Sequence, residues 1–103
     1  MDILTLASFH ILLAVADEDR HGYAIIQDVA ARTNGELKLS AGTLYRSIQR
    51  MLEQGWLIES GEDDRRRYYR ITDLGRQVAR AEAQRLSQLV EFARQSGFAP
   101  QKA

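Results

Sequence analysis

The chain has 103 residues, no cysteine, and equal numbers of basic and acidic side chains, 14 of each. The missing cysteines exclude a disulfide framework, a thiolate zinc site and a cysteine nucleophile. The zero net charge excludes a protein that coats nucleic acid indiscriminately, because that mode draws its affinity from an excess of positive charge; a local basic patch remains compatible with it.

Residues 2–16 read as a helix whose apolar residues lie on two flanks. Leu4, Ile11 and Val15 fall on one, Leu6, Phe9 and Leu13 on nearly the opposite one, and Leu12 between them. Such a helix needs cover on both flanks, and in a chain this small the second cover is expected from another subunit. The longest apolar run, Ile11 to Ala16, is too short to cross a bilayer, and Met1-Asp2 lacks the basic flank of a signal peptide. A soluble, cytoplasmic protein is the expectation.

Asp17-Glu18-Asp19-Arg20 reads as a polar connection, and His21-Gly22-Tyr23 opens a second helix that runs to about Thr33. His21 is a polar residue at its start, Gly22 permits close packing, and Tyr23 is expected to anchor in the core in line with Ile26 and Ala30. Ile25 and Val29 form a second apolar pair. Asn34-Gly35 ends the helix, since both residues tolerate the left-handed conformation. Ser40 is a good N-cap for a third helix with the core stripe Leu44, Ile48, Met51 and Leu52, closed by Gly55.

Trp56 to Ser60 and Arg67 to Ile71 are β-prone, with a tight connection at 61–64, so the pair reads as a hairpin. Strand alternation places Tyr69 and Ile71 inward, Tyr68 and Arg70 outward. Thr72 caps a final helix, Asp73 to Ser96, with the stripe Leu74, Val78, Ala81, Leu89 and Phe92 widened by Leu86, Val90 and Ala93. That sector is wider than one small core uses, and Gly97 stops the helix. The expected class is mainly α with a small β-hairpin: a winged helix-turn-helix over residues 1–72, a long C-terminal dimerisation helix over 73–97, and a flexible tail over 98–103.

In such a fold the third helix enters the DNA major groove and the hairpin lies alongside it. The side of that helix opposite its core stripe carries Thr43, Arg46, Gln49 and Arg50, with Ser47 and Gln54 near its edges. The arginine fork matches the acceptor edge of guanine or a phosphate, and the hydroxyls reach phosphates or base edges. Ser40 and Gly42 read equally well as an N-cap with a small packing contact or as a seat for a phosphate at the helix start. Arg65, Arg66 and Arg67 lie at or near the hairpin tip with Tyr68 beside them, where Glu62, Asp63 and Asp64 screen them; alone, that run would read as a solvated turn. Two histidines without metal spacing, and no nucleophile elbow or phosphate loop, leave no expectation of catalysis, metal or cofactor.

Four blocks in order, His21-Gly22-Tyr23, Leu39-Ser40-Ala41-Gly42-Thr43-Leu44-Tyr45, Gly55-Trp56-Leu57-Ile58 and Asp64 to Thr72 with Gly75 following, resemble the PadR-like transcriptional regulators over most of the chain. Ala41 stands where that family often has proline, and Trp56 where it often has a smaller apolar residue. The resemblance implies a bacterial, homodimeric repressor that binds a palindromic operator through the third helix and wing, in the short branch with a single C-terminal helix. It implies a dimer contact through the first and last helices, on which Leu4, Leu6, Phe9, Leu13, Leu86, Leu89, Val90, Phe92 and Ala93 are the apolar candidates. It adds Tyr45 as a DNA-contact candidate, although the helical wheel puts Tyr45 beside the core stripe. A sensor of small hydrophobic ligands at the dimer interface is the alternative, with Phe92 as the aromatic on the final helix's stripe. A module that only dimerises or binds protein is the third reading.

Overall fold

The computed structural model describes residues 4–98. The elements in chain order are α1 (Leu6–Ala14), β1 (Arg20–His21), α2 (Gly22–Arg32), α3 (Ala41–Gln54), β2 (Leu57–Asp63), β3 (Arg66–Ile71) and α4 (Asp73–Gln95). The expected order is therefore present, with one strand added. Asp2 and Ile3, expected in the first helix, and the tail beyond Phe98 lie outside the described residues.

Each helix begins at a side chain that accepts an otherwise orphaned backbone N–H. Thr5 takes the Ser8 N–H at 3.1 Å, so α1 starts at Leu6, later than the apolar pattern alone suggests. His21 Nδ1 takes the Ala24 N–H at 3.2 Å, Ser40 that of Thr43 at 3.1 Å, and Thr72 that of Gly75 at 3.0 Å. At the other end of α3, Gly55 is left-handed (φ 80), and the Gly55 and Trp56 N–H groups return to the Leu52 and Met51 carbonyls, a Schellman closure.

Ile11, Leu12, Ile25, Leu44, Ile48 and Leu57 are almost completely excluded from water, each worth roughly 1.5–3 kcal/mol of transfer free energy. They draw α1, α2, α3 and the base of the wing into one core. Val78, Ala79 and Leu86 of α4 pack on the same core. Hence the second flank of α1 is covered largely by the chain itself: Phe9 and Leu13 face Ala79 and Ala83 across a shallow apolar cleft. Leu6 stays 64% exposed.

Two sequence expectations are corrected here. Tyr23 is no core anchor, being 62% exposed. The buried stripe of α2 is Gly22, Ile25 and Val29, and Tyr23 is turned about 100° away from it. The hairpin is also longer than expected, with β2 running to Asp63 and a two-residue turn at Asp64-Arg65 in place of a connection at 61–64. An extra residue at Ser60 bulges the strand between Glu59 and Gly61.

The added strand, β1, pairs Arg20 with Tyr69 and His21 with Tyr68, giving the sheet order β1-β3-β2. Its position is fixed by Arg20, whose Nε donates to the Ala14 carbonyl at 2.6 Å while its Nη2 pairs with Glu18 at 2.9 Å. Tyr69 and Ile71 point inward and are buried, as alternation predicts. Thr72 then ties the wing base to α3, its hydroxyl donating to the Gly55 carbonyl at 2.6 Å and its N–H to that of Trp56 at 3.0 Å. From this knot α4 runs about 35 Å, and its last turns leave Leu89, Val90 and Phe92 exposed.

Candidate nucleic-acid interface

The outward face of α3 presents Gly42, Tyr45, Arg46, Gln49 and Arg50 to solvent, with Thr43 and Ser47 partly covered. Ser40 is occupied as the helix cap, and its hydroxyl lies 3.1 Å from that of Thr43; when Ser40 donates, the Thr43 proton is free to reach an outside acceptor. The Arg46 guanidinium folds back over Gly42, with Nη1 3.2 Å from where a β-carbon at 42 would stand. Gly42 thus makes room for an arginine as well as for any approaching backbone. Gln49 donates to Glu53 at 3.2 Å near the C-terminal end of the helix. Recognition helices read bases with their N-terminal residues, which here include Thr43 and Arg46, with Arg50 one turn further on.

Ion pairing divides the arginines. Arg20, Arg32, Arg67 and Arg70 each have a carboxylate partner. Among the described residues outside α4, the arginines with none are Arg46, Arg50, Arg65 and Arg66. Arg65 and Arg66 line a groove of about 400 Å³ between the wing and α3, while Arg46 and Arg50 lie outside it on α3, Arg50 beside Leu4, Thr5 and Ser8. Tyr23, Tyr45 and Gln49 are also among the groove's lining.

The wing turn is unusual in its residues. Asp64 (φ 49) and Arg65 (φ 69) are both left-handed, the conformation for which two-residue hairpin turns favour Asn-Gly. A left-handed arginine costs roughly 1–2 kcal/mol, so Arg65→Gly is expected to raise stability by about 1 kcal/mol in urea denaturation. A variant no more stable than the parent would contradict the strain at residue 65.

Arg70 points outward as expected but is committed to the fold. It makes two bonds to Asp19, Nε–Oδ1 at 3.1 Å and Nη2–Oδ2 at 2.9 Å, clipping the α1–β1 connection to β3. Those bonds hold the Asp19 carboxyl below its ordinary value of 3.8. Because the folded value is depressed, the clip contributes fully above the unfolded value and is lost as pH falls through the folded one. Denaturation midpoints of the parent and Asp19→Asn should therefore differ at pH 7 and converge as pH falls below the ordinary carboxylate value; a gap that is constant with pH would contradict the clip. Glu82 is a second acid that the sequence does not single out: it is buried on α4, and two bonds from Arg85 at 2.9 and 2.5 Å lower its pKa. The i, i+3 spacing of Glu82 and Arg85 is its one signal in the sequence.

The structure brings Arg65, Arg66 and Arg67 to one tip and half-buries Tyr68 edge-on to the His21 ring, with centroids 5.3 Å apart. Tyr45 is 50% exposed and lines the groove, although its wheel position adjoins the core stripe. Among the candidate dimer residues, Leu4 and Phe9 are buried in the chain's own core, leaving them little surface to offer a partner. Leu13, Leu86 and Ala93 are partly covered, and Leu6, Leu89, Val90 and Phe92 are exposed.

A helix-turn-helix whose second helix turns its polar face out beside an arginine-tipped hairpin defines a winged-helix protein. The chain belongs to the Transcriptional regulator PadR-like family, whose sequence profile matches residues 11–81. That is a family of regulators, not of enzymes. An uncharacterised protein of Lysinibacillus sphaericus is 41% identical over 71 residues, which span 64% of this chain and 64% of that protein, just under two thirds of its length. A transcriptional regulator from Clostridium thermocellum has a similar fold, with a TM-score of 0.77 at 24% identity over 85% of this chain and 89% of that one. A PadR family transcription regulator from Clostridium difficile gives 0.76 at 21% identity, covering 88% and 97% of the two chains.

Proposed function

We propose that the protein is a DNA-binding transcriptional regulator, a repressor, that acts in the cytoplasm as a homodimer on a palindromic operator. Residues 1–72 are the DNA-binding part and 73–97 the dimerisation helix. The observation that carries this reading is the sorting of charge: among the described residues, the unpaired arginines outside α4 are Arg46 and Arg50 on the exposed face of α3 and Arg65 and Arg66 at the wing tip, the two elements a winged helix turns to DNA. Core packing does not require a cation at any of the four.

Arg46, Arg50 and Thr43 read or position the major groove, with Ser47 at its edge and Tyr45 toward the wing. Ser40 and Gly42 mark the helix start that meets a phosphate, and Arg65, Arg66 and Arg67 with Tyr68 grip the flanking backbone. Leu6, Leu89, Val90 and Phe92, exposed on α1 and α4, are the free apolar surface for a second copy. A twofold dimer sets two recognition helices about 34 Å apart, one turn of DNA. No helix among the described residues is long and apolar enough to cross a membrane.

Sedimentation and fluorescence anisotropy test the two halves together. The expected result is a dimer that binds duplex DNA with an affinity falling steeply and log-linearly with salt, as counterion release requires. A monomer at binding concentrations, or no salt-dependent DNA binding, would overturn the reading.

A further inference from the structure

The groove beside α3 contains two hydrogen-bond donors that approach each other with no acceptor between them. His21 Nδ1 accepts the Ala24 N–H at 3.2 Å, so the neutral ring carries its proton on Nε2. That Nε2 is 3.5 Å from Arg66 Nη1. A guanidinium nitrogen has only protons to offer, so the contact is donor against donor. The ring is held in place by the cap bond, by the pairing of His21 with Tyr68, and by the edge-on Tyr68 ring.

The surroundings select the acceptor. Glu59, the carboxylate lining this groove, is engaged by Arg67 at 3.6 Å. The other polar side chains there are mainly donors or neutral: Tyr23, Tyr45, Gln49, Arg65 and Arg66. Gly22 leaves room for the Tyr45 hydroxyl, which lies against its α-carbon. A held imidazole N–H beside an unpaired guanidinium, in a groove whose carboxylate is already engaged, fits an anionic oxygen that bridges the two donors.

We propose that His21 and Arg66 clamp one phosphate of the DNA backbone, and that the Tyr23 and Tyr45 hydroxyls hold the adjacent stretch of the same strand. This rests on the DNA-binding reading above. With α3 in the major groove and the wing over the neighbouring minor groove, one sugar-phosphate strand separates the two elements. The groove between α3 and the wing tip is where that strand passes. His21 then has two duties, capping α2 with Nδ1 and binding phosphate with Nε2.

His21→Asn separates the duties, because asparagine is a good N-cap but lacks the distal donor. On DNA selected by the parent protein, this variant is expected to stay folded, losing only the ring contact with Tyr68, and to bind about ten-fold more weakly, equally on selected and scrambled duplexes. Its salt slope should not change, since a neutral donor releases no counterion, whereas Arg66→Ala should lower the slope by about one. Because the two side chains share one phosphate, the double substitution should lose less than the product of the single effects. Tyr23→Phe, at an exposed position, should weaken binding to all sequences several-fold. A folded His21→Asn protein that binds as tightly as the parent, or effects of His21 and Arg66 that simply multiply, would overturn the clamp while leaving the regulator reading intact. A parent protein that binds no DNA would overturn both.

Discussion

Gly75→Ala is expected to destabilise the protein by about 2–3 kcal/mol, even though glycine-to-alanine in a helix ordinarily gains roughly 0.5–1 kcal/mol. Gly75 lies in the first turn of α4, pressed against the carbonyl oxygen of Trp56 and with Ile71 Cγ1 2.8 Å from where its β-carbon would stand. The carbonyl cannot withdraw, because it accepts the Thr72 N–H at 3.0 Å. Thr72 is itself held by the Gly55 carbonyl and caps α4 through Gly75. A methyl group at residue 75 therefore pushes apart the knot where α3 ends, the wing starts and α4 begins. In a domain of this size the loss corresponds to roughly 10–20 °C in melting temperature. The wing would also shift relative to α3, so DNA affinity should fall further than stability alone explains. Gly61→Ala is the control: an added β-carbon there meets nothing within 4 Å, and the variant should melt like the parent. If Gly75→Ala melts like the parent too, the packing at this junction is looser than described.

The double substitution Arg46→Ala with Arg50→Ala carries the largest expected effect on function. If each guanidinium reads a base edge, each contributes about 1–3 kcal/mol of discrimination. Together their loss should bring binding to selected DNA close to that of scrambled DNA, a drop of roughly a hundred-fold or more in the ratio. Both side chains are exposed on α3 and have no carboxylate partner among the described residues, so the fold should be unaffected, with an unchanged circular dichroism spectrum. Arg65→Ala or Arg66→Ala should instead weaken selected and scrambled DNA alike, because contacts to phosphates carry no sequence information. Anisotropy titrations of the two duplexes at one salt concentration check both. A double variant that keeps the parent's ratio would show that α3 does not read the bases through these residues.

Much of this is legible in the chain, and the exceptions have physical causes. The helix caps Ser40 and Thr72 and the glycine stops at 35 and 55 act locally, through bonds between residues a few positions apart, so the sequence carries their signal directly. The inward turn of Tyr69 and Ile71 follows from a two-residue period. Sequence patterning misplaces Tyr23 because the stripe of α2 runs through Gly22, and a glycine registers no hydrophobicity. β1 is only two residues long and exists because β3, nearly fifty positions away, offers it an edge. The division of arginines into paired and unpaired is invisible too: Arg70 and Arg66 look alike in sequence, and only the fold brings Asp19 to one and His21 to the other. The clamp at His21 follows from the same long-range meeting.

The most direct test of the whole account is selection of bound duplexes from a random pool. The expected product is a motif with twofold symmetry, its half-sites centred about one helical turn apart, enriched by the parent protein and lost when Arg46 and Arg50 are both replaced by alanine. A pool that stays random, or a motif that survives that double substitution, would contradict it.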